Sequence, residues 1–440
     1  MYLGLLLVVS ACSAALSVPS ARPVLTTLYY FANDSFANPQ LSSNSALIEA
    51  RNGNLYGICR NDGAADQGFL FTMTRDGGVS PLHSFGDGSV LNDGVKPCPE
   101  LVQGSDGNFY GTTHEGGSAG QGTVFMATPA GKITILHSFG DGTVPNDGAQ
   151  PEFGLVQGPD ANLYGVTSEG GYLAARDTNG LGGGVVFRIA PTGAMKIMHC
   201  FGDGAVKNDG VRPAARLIVG PQGGFWGVTS SGGLSYPNNW GTVFRMDRTG
   251  KMAIVHCFAP YGGTSVAVQR GAAAVTYGAP RSDLPRVLGQ PSFMDGMDPN
   301  SLAIAPGDGI IGTTQQGGIA GKGMVFRITA QGKFTILHSF GARTSRDGQC
   351  PVGGLVLASD GDFYGVTYSG GTDGQGTIFR INRRLGESVV HAFVYSTAGL
   401  DGTMPVSLML SRGGEFYGTT RMGPSTNVGT IFRFTFPAHR

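Results

Sequence analysis

Tyr110-Gly111-Thr112-Thr113, followed by Gly116-Gly117 and then Gly122-Thr123-Val124-Phe125, is a pattern that returns through the whole chain. Aligned on the Tyr-Gly step, its copies are anchored at Tyr56, Tyr110, Tyr164, Trp226, Ile311, Tyr364 and Tyr417. Most steps are close to 54 residues, with longer ones before Trp226 and Ile311. A period of this size marks a ring or a stack of one supersecondary unit.

The second copy shows what the unit contains. Its apolar runs are Leu101-Val102, Asn108 to Thr113, Gly122 to Thr128 and Lys132 to Phe139. The first two runs are separated by Ser105-Asp106-Gly107 and the last two by Pro129-Ala130-Gly131. Both connections read as tight hairpins, because Gly accepts the left-handed backbone that such turns need. Four antiparallel strands in one period make a propeller blade.

Spacing inside the unit is strict. A Leu lies nine residues before each anchor, at Leu47, Leu101, Leu155, Leu217, Leu302, Leu355 and Leu408. A Phe closes the third strand at Phe71, Phe125, Phe187, Phe244, Phe326, Phe379 and Phe432. Another ends the fourth at Phe85, Phe139, Phe201, Phe258, Phe340 and Phe393. These positions are expected to fill the core between sheets, where large side chains bury the most area. The last copy lacks its fourth strand, whereas a spare strand lies at Val24 to Phe31, with Leu28 matching Leu136 and Phe31 matching Phe139. The sequence therefore predicts an all-β, seven-bladed propeller whose last blade is closed by the N-terminal strand, which removes exposed sheet edges. An open solenoid is the alternative.

Composition narrows the function classes. Formal net charge is zero and only 14% of residues are charged, so no nucleic-acid footprint is present. The 74 glycines fall at regular turn positions. Leu3 to Leu16 is apolar but short for a bilayer span, so residues 1–22 read as an export signal and residues 23–440 as one propeller domain. Val9-Ser10-Ala11-Cys12 resembles a bacterial lipobox, and simple cleavage between Ala15 and Arg22 is the alternative. The expected location is outside the cell or on the outer envelope, anchored through Cys12 if that residue is lipidated. No later segment reads as transmembrane, and a monomer is expected. Six cysteines supply neither a CxxC pair nor a zinc pattern.

The repeat Tyr-Gly-Thr-Thr, Gly-Gly, Gly-Thr-Val-Phe resembles the GloVer-type tandem-repeat family of exported bacterial proteins, over residues 24 to 435 or so. The first copy departs from it at Tyr56-Gly57-Ile58-Cys59, and the fifth has Ile311 in place of the aromatic residue. The resemblance implies repeat architecture and surface anchoring, and it implies no activity.

Six of the eight histidines occupy one repeat position: His83, His137, His199, His256, His338 and His391. Such periodicity points to structural hydrogen bonding between strands. His114 is the internal exception. It follows Tyr110-Gly111-Thr112-Thr113, in a slot that holds Arg60, Ser168, Ser230, Gln315, Tyr368 and Arg421 in other copies. The next slot includes Glu115 and Glu169. With the first strand innermost, these loops and the inter-blade crossovers share one face, so the variable slots ring one mouth of the central channel. Loops converging on a concavity of a rigid scaffold are the default binding site.

Three function classes follow. Arg60, Arg421, Glu115, Glu169 and Gln315 are candidate ligand-binding residues for an extracellular polysaccharide or other surface ligand. Alternatively, His114 and Tyr368 are a catalytic base and acid of a uronate lyase, with Arg60 and Arg421 neutralising the carboxylate. In the same enzymatic class, Glu115 and Glu169 are a carboxylate pair of a glycoside hydrolase. The third class is a structural or protein-interaction module of the cell envelope. No cofactor is called for. The crossovers repeat Asp87/Asp93, Asp141/Asp147 and Asp203/Asp209, whose oxygens suit either a Ca²⁺ ion or Asx-turns, although the bidentate Glu of an EF-hand is missing. An insertion at about 259–299 is expected to project from the same face as His114.

Overall fold

The computed structural model describes residues 23–31, 45–172, 181–233, 240–258, 264–265, 295–342, 346–384, 386–395, 401–423 and 428–436. The export signal with Cys12 and most of the 259–299 insertion lie outside them. The described residues form strands and turns without an α-helix, arranged as seven antiparallel sheets in a ring. The first blade runs Ser45–Glu49, Leu55–Cys59, Phe69–Met73 and Val79–Ser84 in that spatial order.

The hairpins form where the turn residues are. Gly107 has φ 88°, its N–H donates to Gly104 O at 3.0 Å, and the Gly104 N–H donates to Asn108 O at 2.8 Å. The Tyr110 hydroxyl donates to Asp106 Oδ2 at 2.6 Å, which pins the turn to the strand that carries the repeat anchor. Tyr164 with Asp160 and Tyr364 with Asp360 repeat the bond at 2.9 and 2.8 Å.

Packing explains the other fixed letters. A methyl added to Gly111 would lie 2.6 Å from Phe125 Cζ, and the equivalent glycine meets the third-strand Phe at 2.3–2.6 Å in every blade. The Tyr-Gly step is glycine because that Phe lies across its backbone. The two Thr positions face each other, Thr113 Oγ1 lying 2.9 Å from Thr123 Oγ1, with the same pair in the fourth, sixth and seventh blades. Cores sit between neighbouring blades. Tyr56 stacks near Phe109 with centroids 4.3 Å apart, and Tyr164 near Phe225 at 4.1 Å. Each fully buried Phe contributes roughly 1.5–3 kcal/mol of apolar burial.

The seventh blade is completed by Val24–Tyr30, which pairs antiparallel with Thr430–Thr435. Register shifts between Thr27 and Tyr29, as it does between Ile135 and His137 in the second blade. The Phe31 N–H donates to Gly429 O at 3.2 Å, matching Phe139 to Gly122 at 3.0 Å. Leu28 and Phe31 thus occupy the places of Leu136 and Phe139, and Tyr29 takes the place of the periodic His. Across the junction Thr419 Oγ1 donates to Ser45 O and the Arg412 N–H to Glu49 Oε2, both at 2.5 Å.

The bulge in the fourth strand decides what the periodic histidines do. It turns each imidazole toward the crossover, where Nε2 meets the crossover Asp. The distances are 2.7 Å for His83–Asp93, 2.7 Å for His137–Asp147, 2.8 Å for His199–Asp209, 3.2 Å for His256–Asp295, 3.1 Å for His338–Asp347 and 2.9 Å for His391–Asp401. The histidines are structural, but they tie the fourth strand to the crossover rather than to another strand. Asp147 also accepts the Gly140 N–H at 3.1 Å.

Candidate functional site at the channel mouth

First strands line the channel. Residues such as Leu47, Leu101, Phe153, Ala215, Leu302, Leu355 and Leu408 border a central cavity of about 680 Å³, a size in the usual range for small-ligand sites. The end of each second strand pairs with the beginning of its first strand, as in Val95↔Glu115 and Pro97↔Thr113. The variable slots and the crossovers therefore share one face.

Each first strand in blades two to seven opens on a repeated device that the sequence reading missed. Lys96, Gln150, Arg212, Asp298, Cys350 and Met404 have φ between 52° and 57°, and each precedes a proline. The left-handed backbone costs a non-glycine residue about 1–2 kcal/mol. It is held by hydrogen bonds to the preceding blade, such as Lys96 N–H to Gln67 O and Cys350 N–H to Lys322 O, both 2.8 Å. The following proline packs on the glycine that opens the previous blade's third strand: a methyl on Gly122 would lie 2.8 Å from Pro151 Cδ. The sequence signal was Gly-x-X-Pro, with X variable, and it sets a second ring of diverse side chains beside the first.

The sequence-predicted residues fall into separate groups. Arg60 lines the cavity with Glu100, Glu152 and Arg216. His114 is largely buried, and its Nε2 is 3.2 Å from Glu152 Oε1 of the next blade. Its Nδ1 is buried without a hydrogen bond, 3.4 Å from Glu115 Oε1. The Glu152 carboxyl is held below its ordinary range, first by the His114 hydrogen bond and then by the His114, Arg60 and Arg212 charges, which outweigh desolvation. Glu115 is held low mainly by its 2.8 Å bond from Lys96 Nζ.

Tyr368 and Arg421 form the second group. Arg421 Nη1 donates to the Tyr368 hydroxyl at 2.9 Å, and its guanidinium lies 5.9 Å from the ring centroid, bridging blades six and seven. Neither residue borders the cavity. Blade two, with His114, stands three places round the ring from blade six. Glu169 pairs through its backbone with Ala149, the Ala149 N–H donating at 2.8 Å, and Gln315 is exposed. Among the described residues Arg60 thus meets the Glu152 group, and Arg421 meets Tyr368.

The crossover carboxylates divide in the same way. Asp93, Asp147 and Asp209 are buried and take the periodic histidines. Asp87, Asp141 and Asp203 are exposed and accept the N–H two residues on, at 2.8 Å each, from Ser89, Thr143 and Ala205. These are Asx-turns. His137, Asp141 and Asp147 nonetheless lie close enough together to hold a metal ion.

The Gloeobacter/Verrucomicrobia repeat matches the chain over residues 42–290 and 260–432. The chain belongs to this repeat family. No curated protein matches the sequence. Among solved structures, this member of the Gloeobacter/Verrucomicrobia repeat family is similar to the virginiamycin B lyase of Staphylococcus aureus, with TM-score 0.56, 13% identity, and 94% of this chain and 99% of that one covered. It is also similar to the extracellular domain of the hybrid two-component system BT3049 of B. thetaiotaomicron, with TM-score 0.54, 11% identity, and 94% and 41% covered. PorZ, a bacterial surface component of the type-IX secretion system of Porphyromonas gingivalis, gives TM-score 0.53, 14% identity, and 91% and 47% covered. At these identities the likeness is one of fold. No helix among the described residues is long and apolar enough to cross a membrane.

Proposed function

We propose that this protein is an exported propeller that binds an extracellular polysaccharide at the crossover face of its central channel. The observation that carries the reading is the cavity itself, where Arg60, Glu100, Glu152 and Arg216 meet on first strands and loop ends of successive blades. Glu49 also lines the cavity but is paired with Arg75, so two guanidinium groups and two further carboxylates give hydroxyl groups both donors and acceptors in near balance. A neutral glycan fits that balance better than a uronate, whose carboxylate would confront Glu100 and Glu152. Export rests on the apolar stretch Leu3 to Leu16.

Binding is favoured over elimination by the placement of the acid–base candidates. The free nitrogen of His114 is enclosed, and Tyr368 is engaged with Arg421 away from the cavity. A general base must reach the proton that it removes. The test is affinity electrophoresis and calorimetry against neutral and uronic-acid polysaccharides, with unsaturated-uronate absorbance and reducing ends followed in parallel. Binding of a neutral glycan, weakened by Arg60→Ala and Glu152→Gln, supports the reading. A rise in either product signal, or no binding by any polysaccharide, overturns it.

A further inference from the structure

The seven first strands are not equivalent where they face the channel. Two residues before the repeat Leu, the position holds Ser45, Pro99, Phe153, Ala215, Asn300, Gly353 and Val406. Phe153 is the single aromatic among them. It packs against the core between the third and fourth blades, and it remains partly exposed and lines the cavity.

In a ring of seven, the third blade faces the sixth and seventh. The sixth supplies Gly353-Gly354 at the level of Phe153. A methyl on Gly354 would meet nothing within 4 Å. The channel is therefore open beside Gly354, and Val406 of the seventh blade completes the far wall. Polar groups flank the ring on its own side. Glu152 precedes it, Glu100 Oε2 accepts the Gly154 N–H at 3.0 Å, and Arg216 lines the cavity from the next blade.

We propose that Phe153 is the platform of a pyranose subsite, a reading that rests on the glycan-binding function above. The apolar C–H face of a neutral sugar ring lies on Phe153, its opposite face looks toward Gly353-Gly354, and its hydroxyl groups donate to Glu100 and Glu152 and accept from Arg216. Aromatic residues offer a rigid apolar face at low entropic cost, and carboxylates and guanidinium groups satisfy vicinal hydroxyls in the plane of the ring.

The experiment is calorimetric titration of the full-length protein with maltohexaose, cellohexaose, laminarihexaose and xylohexaose. Three variants are compared with the wild type. Phe153→Leu keeps an apolar side chain in the core contact and removes the flat face. Gly354→Asn fills the open space with a residue that tolerates the left-handed backbone and touches no core atom. Glu152→Gln reports on the mouth. For a hexasaccharide that binds, Phe153→Leu and Gly354→Asn are each expected to weaken affinity about tenfold or more, with unchanged thermal melting for Gly354→Asn. Loss of affinity in Glu152→Gln alone overturns the platform and leaves the binding face standing. Failure of the wild type to bind any of the four overturns both.

Discussion

Gly165→Ala tests the packing rule that fixes the repeat. The added methyl would sit 2.5 Å from Phe187 Cζ and 2.6 Å from Leu155 Cδ2, where ordinary carbon contacts are about 3.5–4.0 Å. The overlap is about 1 Å at each of two atoms. Leu155 and Phe187 are both fully buried, so neither has solvent to swing into. Overpacking of this kind costs about 1–3 kcal/mol. Replacing a strand glycine by alanine recovers about 0.5–1 kcal/mol of backbone entropy. The net expectation is destabilisation by about 1–2 kcal/mol. Guanidinium denaturation is the better assay, because in a chain of this length 1 kcal/mol moves the melting temperature by only about 1 °C. The second variant is Gly165→Ala combined with Phe187→Leu. If the clash is the cause, the double variant is more stable than the sum of the singles by about 1 kcal/mol. A neutral or stabilising Gly165→Ala, or strict additivity, would refute the reasoning.

Asp362 accepts Arg380 Nε at 2.5 Å and the Arg383 N–H at 2.9 Å, with its own side chain almost fully buried. Asp362→Ala is expected to lower stability by about 1–3 kcal/mol in the same assay, a range reduced because Arg380 is substantially exposed. The Asp106 carboxyl is pushed up by desolvation but held below its ordinary value on balance by bonds from Tyr110 and Asn108. A depressed folded pKa stabilises above the unfolded value near 3.9 and is lost as pH falls through the folded one. Tyr110→Phe should therefore shrink the loss of stability seen on acidification below about pH 4, and an unchanged acid limb would count against the bond. Burial pushes the Cys98 thiol up to about 12, so mass spectrometry after iodoacetamide treatment at neutral pH should find Cys98 unmodified in the native protein and alkylated after denaturation.

The fold was legible because the unit repeats. Seven anchors, two hairpin signals per unit and a fixed Leu and Phe left one architecture, and Leu28 with Phe31 located the missing strand. The partner of the periodic His was harder to see. It depends on a bulge at Leu136 and its equivalents, and a register shift leaves no mark on hydrophobic period. The constant ten-residue step from His83 to Asp93, His137 to Asp147 and His199 to Asp209 was nevertheless there to be read. Strand order placed the variable slots and the crossovers on one face, because topology alone fixes which loops share a face. It did not reveal which side chains meet there. Glu100, Glu152 and Phe153 lie in first strands broken up by Pro97, Pro99 and Pro151, where alternation is too short to register as a strand. The contact between Tyr368 and Arg421 is set by side-chain reach between blades, which sequence spacing does not report.

Closure of the seventh blade by Val24–Tyr30 sets the order of assembly. Six blades draw all their strands from one neighbourhood of the chain, so each folds at the cost of short loops. The seventh joins segments about 400 residues apart, and closing so long a loop is the slowest kind of contact to find. Until that contact forms, Thr430–Thr435 presents an unpaired edge that invites association with other chains. A circular permutant opened at Asp106-Gly107, with the Val24 and Thr435 strands joined by a short linker, would make the last blade local and move the long-range step to the second. Its refolding yield against that of the parent chain would measure how much the ring depends on where it is fastened.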